Sequence, residues 1–296
     1  MSKIYGFGNA LIDIEIQIND DQLSSIDIPK GSMRHISKDS KDLLLKEFKD
    51  SICSINPGGS IANSLFAAEN LGALTCFSCS LGDDEYGDLF LSSYKEENIS
   101  FKYSNEPTGV CLVFISPDGE RTMASTLSAN YHLSSKCINL SFLENCDYLL
   151  FDNFSLATDS GNQTVNYCLE NISDKVKVCF GLADSELIVK NLNQLKKLSN
   201  KPIHCLSGNK LEHDSLDKII SMNYQNRLVS YGEQGAAING EKISAPKINL
   251  VNTNGAGDSL LGAFVALEDK MEQEEALQKA VYYSSKVCSV SGPRLT

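Results

Sequence analysis

The chain has 296 residues, 42% of them hydrophobic, which is enough apolar material for one large domain. Its 26 basic and 38 acidic residues give a net charge of −12 without a basic block. We therefore expect no nucleic-acid partner, because neutralising phosphates needs clustered Lys and Arg, and any phosphate site must use backbone dipoles and metal ions. We also expect no membrane association and a cytoplasmic location, since signal-like and membrane-spanning segments are lacking. The ten cysteines should then be reduced and pack as small apolar residues.

Residues 4–18 predict a buried strand that passes into an alternating one. Asp13 lies in this run, and a buried carboxylate must be hydrogen-bonded, so it either stabilises the fold or faces a ligand. Its position at the end of a first strand, where open α/β sheets bind their ligands, favours the ligand. Gly6-Phe7-Gly8 resembles part of a dinucleotide fingerprint, but Leu11 occupies the position of its third glycine.

The next segments combine a glycine pair with a hairpin. Gly58 and Gly59 precede a predicted helix and form either a plain turn or a place where the backbone approaches a ligand closely. Asn63, one helical turn further on, would point to the same entrance. Residues 101–126 alternate again, with a hairpin turn at Pro117-Asp118-Gly119-Glu120. Arg121 on this hairpin either contacts an anionic substrate or lies exposed on its strand.

The second half of the chain alternates predicted strands and helices. The strands are expected at residues 148–151, 176–180, 203–206 and 227–230. This alternation of strands and helices indicates an α/β fold with a parallel sheet covered by helices on both faces. Asn209 and Glu212 follow the third of these strands and share one side of a helical turn. Ser230, Gly232 and Gly235 follow the fourth, in a glycine-punctuated hairpin that would let the backbone approach a nucleotide.

A glycine turn near the C-terminus carries the strongest chemical signal. The apolar residues Ile248, Leu250 and Val251 predict a strand or the approach to one, and an apolar helix follows Gly255-Ala256-Gly257. Glycines before a helix let successive N–H groups point at an anion, where the helix dipole is also positive. Asp258 in the first turn of this helix is either a cap or a base. As a base, it would take a proton from a hydroxyl while the turn stabilises a phosphoryl group in transfer.

Three motifs follow one another along the chain: Gly58-Gly59 with Asn63, Asn209 with Glu212, and Gly255-Ala256-Gly257-Asp258. Together they resemble the ribokinase family of carbohydrate and purine nucleoside kinases, with the resemblance extending over residues 4–295. It implies a central, mostly parallel sheet with helices on both faces, in a single domain over residues 1–296. It also implies a small discontinuous β lid built from parts of about residues 13–36 and 101–126. Within the family, residues 8–14 and 253–258 look most like adenosine kinases.

The resemblance also implies roles for individual residues. Asp258 would be the base that activates the acceptor hydroxyl, and the N–H groups of Gly255, Ala256 and Gly257 would form the anion hole. Glu212 would act on Mg²⁺ through water. The implied ATP site includes Asn209, Ser230 and Gly232, with Gly235 in the same hairpin. The implied sugar or nucleoside site includes Asn9, Asp13, Gly58, Gly59, Asn63 and Asn254, to which the hairpin pattern adds Arg121.

The predicted function is ATP-dependent phosphorylation of a primary hydroxyl on a small sugar or purine nucleoside. ATP and Mg²⁺ are the expected cofactors, and a monovalent cation is left open. A hexose kinase is the alternative within the same fold. A nicotinamide-dependent oxidoreductase that uses Gly6-Phe7-Gly8, and a catalytically silent sensor, are alternatives from other classes. An exposed β lid with an unpaired edge favours a homodimer.

Overall fold

The computed structural model describes residues 1–295, which form two β-sheets with helices around the larger one. The strands are β1 (Lys3–Phe7), β2 (Leu11–Gln17), β3 (Met33–His35), β4 (Ile52–Gly58), β5 (Leu74–Gly82), β6 (Ile99–Ser104), β7 (Gly109–Ile115), β8 (Arg121–Thr126), β9 (Tyr148–Asp152), β10 (Lys177–Gly181), β11 (Ile203–Asn209), β12 (Tyr224–Ser230), β13 (Ala236–Ile238) and β14 (Glu241–Ile243). The α-helices are α1 (Asp20–Ser25), α2 (Lys38–Glu47), α3 (Ser60–Asn70), α4 (Glu85–Leu91), α5 (Leu140–Leu143), α6 (Asp159–Glu170), α7 (Ser185–Lys190), α8 (Leu192–Leu198), α9 (Lys210–Asp217), α10 (Ala256–Leu267) and α11 (Gln273–Val287). None of the helices in this described stretch has the length and apolar character needed to cross a bilayer.

The larger sheet has nine strands within residues 1–295, in the order β14-β13-β12-β11-β10-β9-β1-β5-β6. Neighbouring strands from β12 to β6 run parallel, whereas β13 and β14 add an antiparallel edge. The apolar residues of β9 and β10 are buried, as expected for a parallel sheet covered by helices. These features confirm the predicted α/β fold class. From β1 the chain builds outward first to β5 and β6 and later to β9, so a crevice at the carboxyl ends beside β1 is a natural ligand site.

The smaller sheet has five strands in the described residues, in the order β3-β8-β7-β2-β4. The expected hairpin is present, because β7 and β8 pair antiparallel from Val110–Thr126 to Ile115–Arg121. Strand β4 also belongs to this sheet, although the sequence pattern did not assign it there. Strand β6 lies instead at the edge of the larger sheet, so residues 101–104 of the expected lid segment are not part of the smaller one.

The buried and the alternating parts of residues 4–18 are two separate strands, β1 and β2, and they belong to different sheets. The break between them is held by Asn130, whose Oδ1 accepts from the N–H of Ala10 at 2.7 Å and whose Nδ2 donates to the Ala10 carbonyl at 3.0 Å. As a consequence, Asp13 lies inside β2 of the smaller sheet and not at the end of β1.

Gly6 has a packing role in place of the dinucleotide role considered from the sequence. A Cβ at Gly6 would lie 2.6 Å from the side chain of Ile61, so the glycine lets α3 pack closely on β1. Strand β1 is followed by another strand, whereas a dinucleotide-binding turn leads directly into a helix. The structure therefore does not support the nicotinamide alternative.

Residues 244–250 form an approach to the C-terminal turn without regular secondary structure, so the strand considered for this segment is not present. The N–H of Val251 donates to the carbonyl of Cys288 at the end of α11, at 2.9 Å, and no ladder to a neighbouring strand forms in the described residues. The ten cysteines all lie in the described residues; they are free, and only Cys53 is exposed, which agrees with their expected role as small core residues.

Candidate active site

The glycine turn before α10 has the geometry that the sequence predicted. Gly255 adopts a left-handed conformation with φ 72°, and a Cβ there would lie 2.3 Å from the carbonyl oxygen of Pro293. Gly257 is exposed, and a Cβ there would have no protein atom within 4 Å. The first N–H groups of a helix have no intrahelical acceptor, and the dipole makes this end positive. The Ala256 N–H donates to the Thr253 carbonyl at 3.3 Å, so the open side of the turn is the side at Gly257.

Asp258 is held by the first turn of the neighbouring helix α3. Its Oδ1 accepts from Ser60 Oγ at 2.8 Å, and its Oδ2 accepts from Asn63 Nδ2 at 3.0 Å. Within residues 1–295, no side chain caps the N-terminus of α10, so the cap interpretation of Asp258 is not supported. Burial raises the pKa of Asp258, while the hydrogen bonds from Asn63 and Ser60 oppose this. A raised pKa makes the carboxylate a stronger base.

A second carboxylate, Asp13, lies in a hydrogen-bonded chain from the smaller sheet to the turn. Asn254 Nδ2 donates to Asp13 Oδ2 at 2.8 Å, and Arg121 Nη1 donates to Asn254 Oδ1 at 3.2 Å. Arg121 thus points into the site, and its buried Nε has no partner in the described residues. Burial raises the pKa of Asp13 to about 7, opposed by the hydrogen bond from Asn254. Nη1 thus bonds to Asn254, whereas Nε is a donor buried away from the surface.

Gly58 and Gly59 lie so close to other atoms of the site that a larger residue would not fit at either position. A Cβ at Gly58 would lie 2.4 Å from the carboxylate of Asp13. Gly59 has φ 100°, and a Cβ there would lie 2.2 Å from the carbonyl oxygen of Asn9. The pair therefore makes a turn and also allows close approach, here to two residues that the sequence selected as substrate contacts.

The residues selected for ATP lie at the carboxyl ends of β11 and β12, where Asn209 and Ser230 pair across the two strands. Asn209 and Glu212 form a capping box, in which Glu212 Oε2 accepts from the Asn209 N–H at 2.8 Å. Gly232 is exposed with φ 58° and no atom within 4 Å of a Cβ, so a ligand has access to it. At Gly235 the close approach is to the Ile243 carbonyl of β14, 2.0 Å from a Cβ.

Glu212, the residue expected from the sequence to act on Mg²⁺ through water, already accepts from Asn209 with both carboxylate oxygens. Among residues 1–295, no three His, Cys, Asp or Glu side chains form a cluster that could hold a metal unaided. Magnesium bound with a nucleotide does not need one, because phosphate oxygens and water fill most of its coordination sphere. Burial raises the pKa of Glu212 to about 7, and the charges of Asp184 and Asp258 act in the same direction. A nearby cation would favour the ionised form of this carboxyl.

Three buried charged residues at the site were not selected from the sequence: Glu15, Asp152 and Arg294. Asp152 ends β9, and its position after an apolar strand is the same kind of signal that selected Asp13. Burial raises the pKa of Asp152 to about 7, and the charge of Asp258 adds to this. Arg294 lies in the irregular C-terminal segment, where no hydrophobic period marks it as buried.

Comparisons with known proteins agree with this fold. The profile described as "pfkB family carbohydrate kinase" matches residues 47–296. Ribokinase from Dictyostelium discoideum is 22% identical over 81% of this chain and 85% of its own length. Adenosine kinase 2 from Arabidopsis thaliana is 23% identical over 96% of this chain and 92% of its own length. The crystal structure of adenosine kinase from Sinorhizobium meliloti superimposes with a TM-score of 0.90 at 20% identity, covering 99% of this chain and 96% of that one.

The chain belongs to the pfkB family of carbohydrate kinases, because the family profile matches most of its length. Kinases of this family use ATP and Mg²⁺ and act on sugars or nucleosides. The resemblance found in the sequence is thereby confirmed at the level of the family and the fold.

Proposed function

We propose that this kinase transfers the γ-phosphoryl group of ATP to a primary hydroxyl on the ribose-like ring of a small sugar or purine nucleoside. The observation that carries the proposal is the position of Asp258. Two donors from α3 fix its carboxylate beside the open, amide-lined turn at Gly257. A base and an anion site next to each other are what phosphoryl transfer to an alcohol requires.

In this proposal Asp258 accepts the proton of the acceptor hydroxyl as the hydroxyl oxygen bonds to the γ-phosphorus and the bond to ADP breaks. The backbone N–H groups of Gly255, Ala256 and Gly257 stabilise the charge on the phosphoryl group in transfer. ATP brings Mg²⁺, which neutralises phosphate charge, and Glu212 would hold this ion through water. The remaining nucleotide contacts are assigned to Asn209, Ser230, Gly232 and Gly235.

The acceptor is assigned to the opposite side of the turn. Asp13 and Asn254 provide buried oxygen and nitrogen atoms for sugar hydroxyls, and the guanidinium of Arg121 adds hydrogen-bond donors. Asn9, Gly58, Gly59 and Asn63 complete this side. A hexose or ketohexose is the second candidate acceptor, because buried Asp152 adds one more carboxylate near Asp258 for a further sugar hydroxyl.

The deciding experiment measures ADP release with Mg-ATP and adenosine, inosine, ribose or fructose, with a no-acceptor reaction as the blank. We expect an acceptor-dependent rate for a ribose-containing compound and a product that carries phosphate on its primary hydroxyl by ³¹P NMR. A higher kcat/KM with fructose would favour the second candidate. Binding of these compounds without any ADP release would favour a catalytically silent protein.

The proposal includes a homodimer through the smaller sheet. Strand β4 pairs with β2 on one side only in the described residues, and Ile55 on it is 42% exposed. An unpaired edge strand with an exposed apolar residue favours pairing with a second chain. Light scattering should then give twice the mass of 32.3 kDa, and a mass of one chain would exclude this dimer.

A further inference from the structure

Arg294 is a buried cation at the back of the proposed site. Its side chain is 7% exposed, and Nε donates to Asn63 Oδ1 at 2.9 Å. Nη1 donates to Ser93 Oγ at 3.2 Å, and Nη2 donates to the Gly58 carbonyl at 3.4 Å. In the described part of the chain, no carboxylate lies within 4.0 Å of its guanidinium. Burying a charge without an ion pair costs free energy, so a role in the site would account for an arginine at this position.

The guanidinium is fixed in place by aromatic rings as well as by hydrogen bonds. It lies 5.2 Å from the centroid of Phe66, 5.8 Å from Tyr94 and 5.9 Å from Phe90. Cation–π contacts at these distances are favourable and also exclude water from the charge. Its orientation is therefore set independently of any ligand.

A single side-chain amide separates this charge from the proposed base. Asn63 Oδ1 accepts from Arg294, and Asn63 Nδ2 donates to Asp258 at 3.0 Å. Because the guanidinium has only donors, it fixes which end of the amide is oxygen and which is nitrogen. With the amide reversed, oxygen would face the Asp258 carboxylate and the hydrogen bond would be lost.

We propose that Arg294 is a positioning residue for Asp258, which orients the Asn63 amide toward the base and places a positive charge behind it. This inference rests on the proposed role of Asp258 as the base. Arg294 itself does not touch the reacting atoms.

The charged groups around Asp258 make the consequence of losing Arg294 predictable. Three carboxyls face Asp258 from the packed elements: Asp13 on β2, Asp152 on β9 and Glu212 on α9. Two cations oppose them, Arg121 on β8 and Arg294. Without Arg294, burial and the three carboxyls would be opposed by Arg121, by the hydrogen bond from Ser60 and by whatever remains of the hydrogen bond from Asn63. The pKa of Asp258 would then be higher than in the unchanged protein, so the carboxylate would become protonated at a higher pH.

The test is the pH dependence of kcat/KM for the unchanged protein and for Arg294→Met and Arg294→Lys, with an acceptor that the unchanged protein phosphorylates. For Arg294→Met we expect the acidic limb to move upward by roughly half a pH unit or more. We also expect a decrease in kcat of roughly tenfold or more from the loss of Asn63 orientation. Arg294→Lys keeps the charge, so its acidic limb should stay near that of the unchanged protein while kcat remains reduced.

Arg34→Met is the matched control, since Arg34 is an exposed arginine on β3, and its pH profile should not change. A folded Arg294→Met protein with an unchanged profile and kcat would overturn the inference. If Arg294→Met does not fold, Arg294→Lys still decides, because unchanged kcat in that variant would exclude the orienting role. Failure of the proposed function is distinct, since the unchanged protein would then show no acceptor-dependent rate at any pH.

Discussion

Glu15 and Asn252 are joined by a buried hydrogen bond of 3.1 Å between a carboxylate oxygen and a side-chain amide nitrogen. Asn252 Oδ1 in turn accepts from the N–H of Asn254 at 2.8 Å, and the side chain of Asn254 donates to Asp13. Asp13 and Glu15 are two residues apart on β2 and therefore share one face of the strand. One strand of the smaller sheet thus holds both ends of the Asn252-Thr253-Asn254 segment that leads into the anion turn.

Replacing Glu15 with Gln should destabilise the protein by about 1–3 kcal/mol, because the carboxylate accepts from several buried donors. Besides the amide, these are Ser54 Oγ at 2.7 Å, Ser291 Oγ at 2.8 Å and the Gly292 N–H at 3.2 Å. The side-chain NH₂ group of a glutamine would face some of these donors, and the hydrogen bonds to them would be lost. Urea unfolding measures the change, with Glu47→Gln on exposed α2 as the control that should match the unchanged protein. Equal stability of the two variants would contradict this account.

The fold was predictable because local sequence and tertiary structure agree along most of the larger sheet. Apolar runs such as residues 148–151 indicate buried strands because they are too short for a helix, and their alternation with helices leaves a parallel sheet as the simplest arrangement. The glycine turn at Gly255 was predictable for the same reason, since only glycine accepts the left-handed conformation and the contact with Pro293 seen there.

The parts that were missed depend on contacts between distant segments. Strand β4 contains Pro57 and half-exposed residues, so its pattern is weak, and its place beside β2 is decided by the partner strand. Arg294 is buried by rings from α3 and α4 and by Tyr94, none of which its own neighbours in sequence reveal. Glu15 did carry a signal, because it follows Asp13 on the same face of an apolar strand.

Asp258→Asn should reduce kcat by roughly 10²–10⁴-fold, the usual contribution of a general base, while leaving nucleotide affinity nearly unchanged. In the unchanged protein, kcat/KM should fall as the pH is lowered. Because burial raises the pKa of Asp258, this fall should begin at a higher pH than for an ordinary aspartate. Calorimetric titration with a non-hydrolysable ATP analogue separates binding from turnover. Exposed Asp174→Asn is the control and should keep full activity. A near-normal rate for Asp258→Asn would refute the assignment of the base.

Gly262 and Gly257 lie on the same helix, and Ala at these positions should have opposite consequences. At Gly262 a Cβ would lie 1.8 Å from the carbonyl oxygen of Ser64, so α10 and α3 would have to move apart. We expect a loss of stability of about 1–3 kcal/mol or more from this overpacking. At Gly257 a methyl group meets open space, so folding should be kept or improved by up to about 1 kcal/mol.

The same methyl group at Gly257 would project into the space assigned to the phosphoryl group, so kcat should fall although the protein is folded. Thermal unfolding and ADP release measured on both variants separate packing from catalysis. The interpretation requires that Gly262→Ala lowers the Tm and that Gly257→Ala does not. Equal Tm values would contradict the packing role of Gly262, and full activity of Gly257→Ala would show that the turn is not where phosphate binds.

His204 and Glu268 form a pair far from the proposed active site. This pair should make the free energy of unfolding depend on pH. His204 Nε2 lies 2.9 and 3.0 Å from the two carboxylate oxygens, in a largely buried position. Burial lowers the pKa of His204, but the hydrogen bond and charge of Glu268 outweigh burial and raise the pKa above its ordinary value. The folded protein therefore binds this proton more tightly than the unfolded chain does.

The stabilisation from this pair is fully present below the unfolded pKa of about 6.5 and is lost as pH rises through the higher folded pKa. The free energy of unfolding, measured with urea between these two values, should therefore fall with increasing pH. His204→Gln should remove this part of the slope, because glutamine cannot be protonated in this range. His132→Gln, at an exposed position, should leave the slope as it is. The buried carboxyls of Asp13, Asp152 and Glu212, whose pKa values are raised to about 7, leave a residual slope in both proteins. A slope in His204→Gln as steep as in the unchanged protein would contradict the role of this pair.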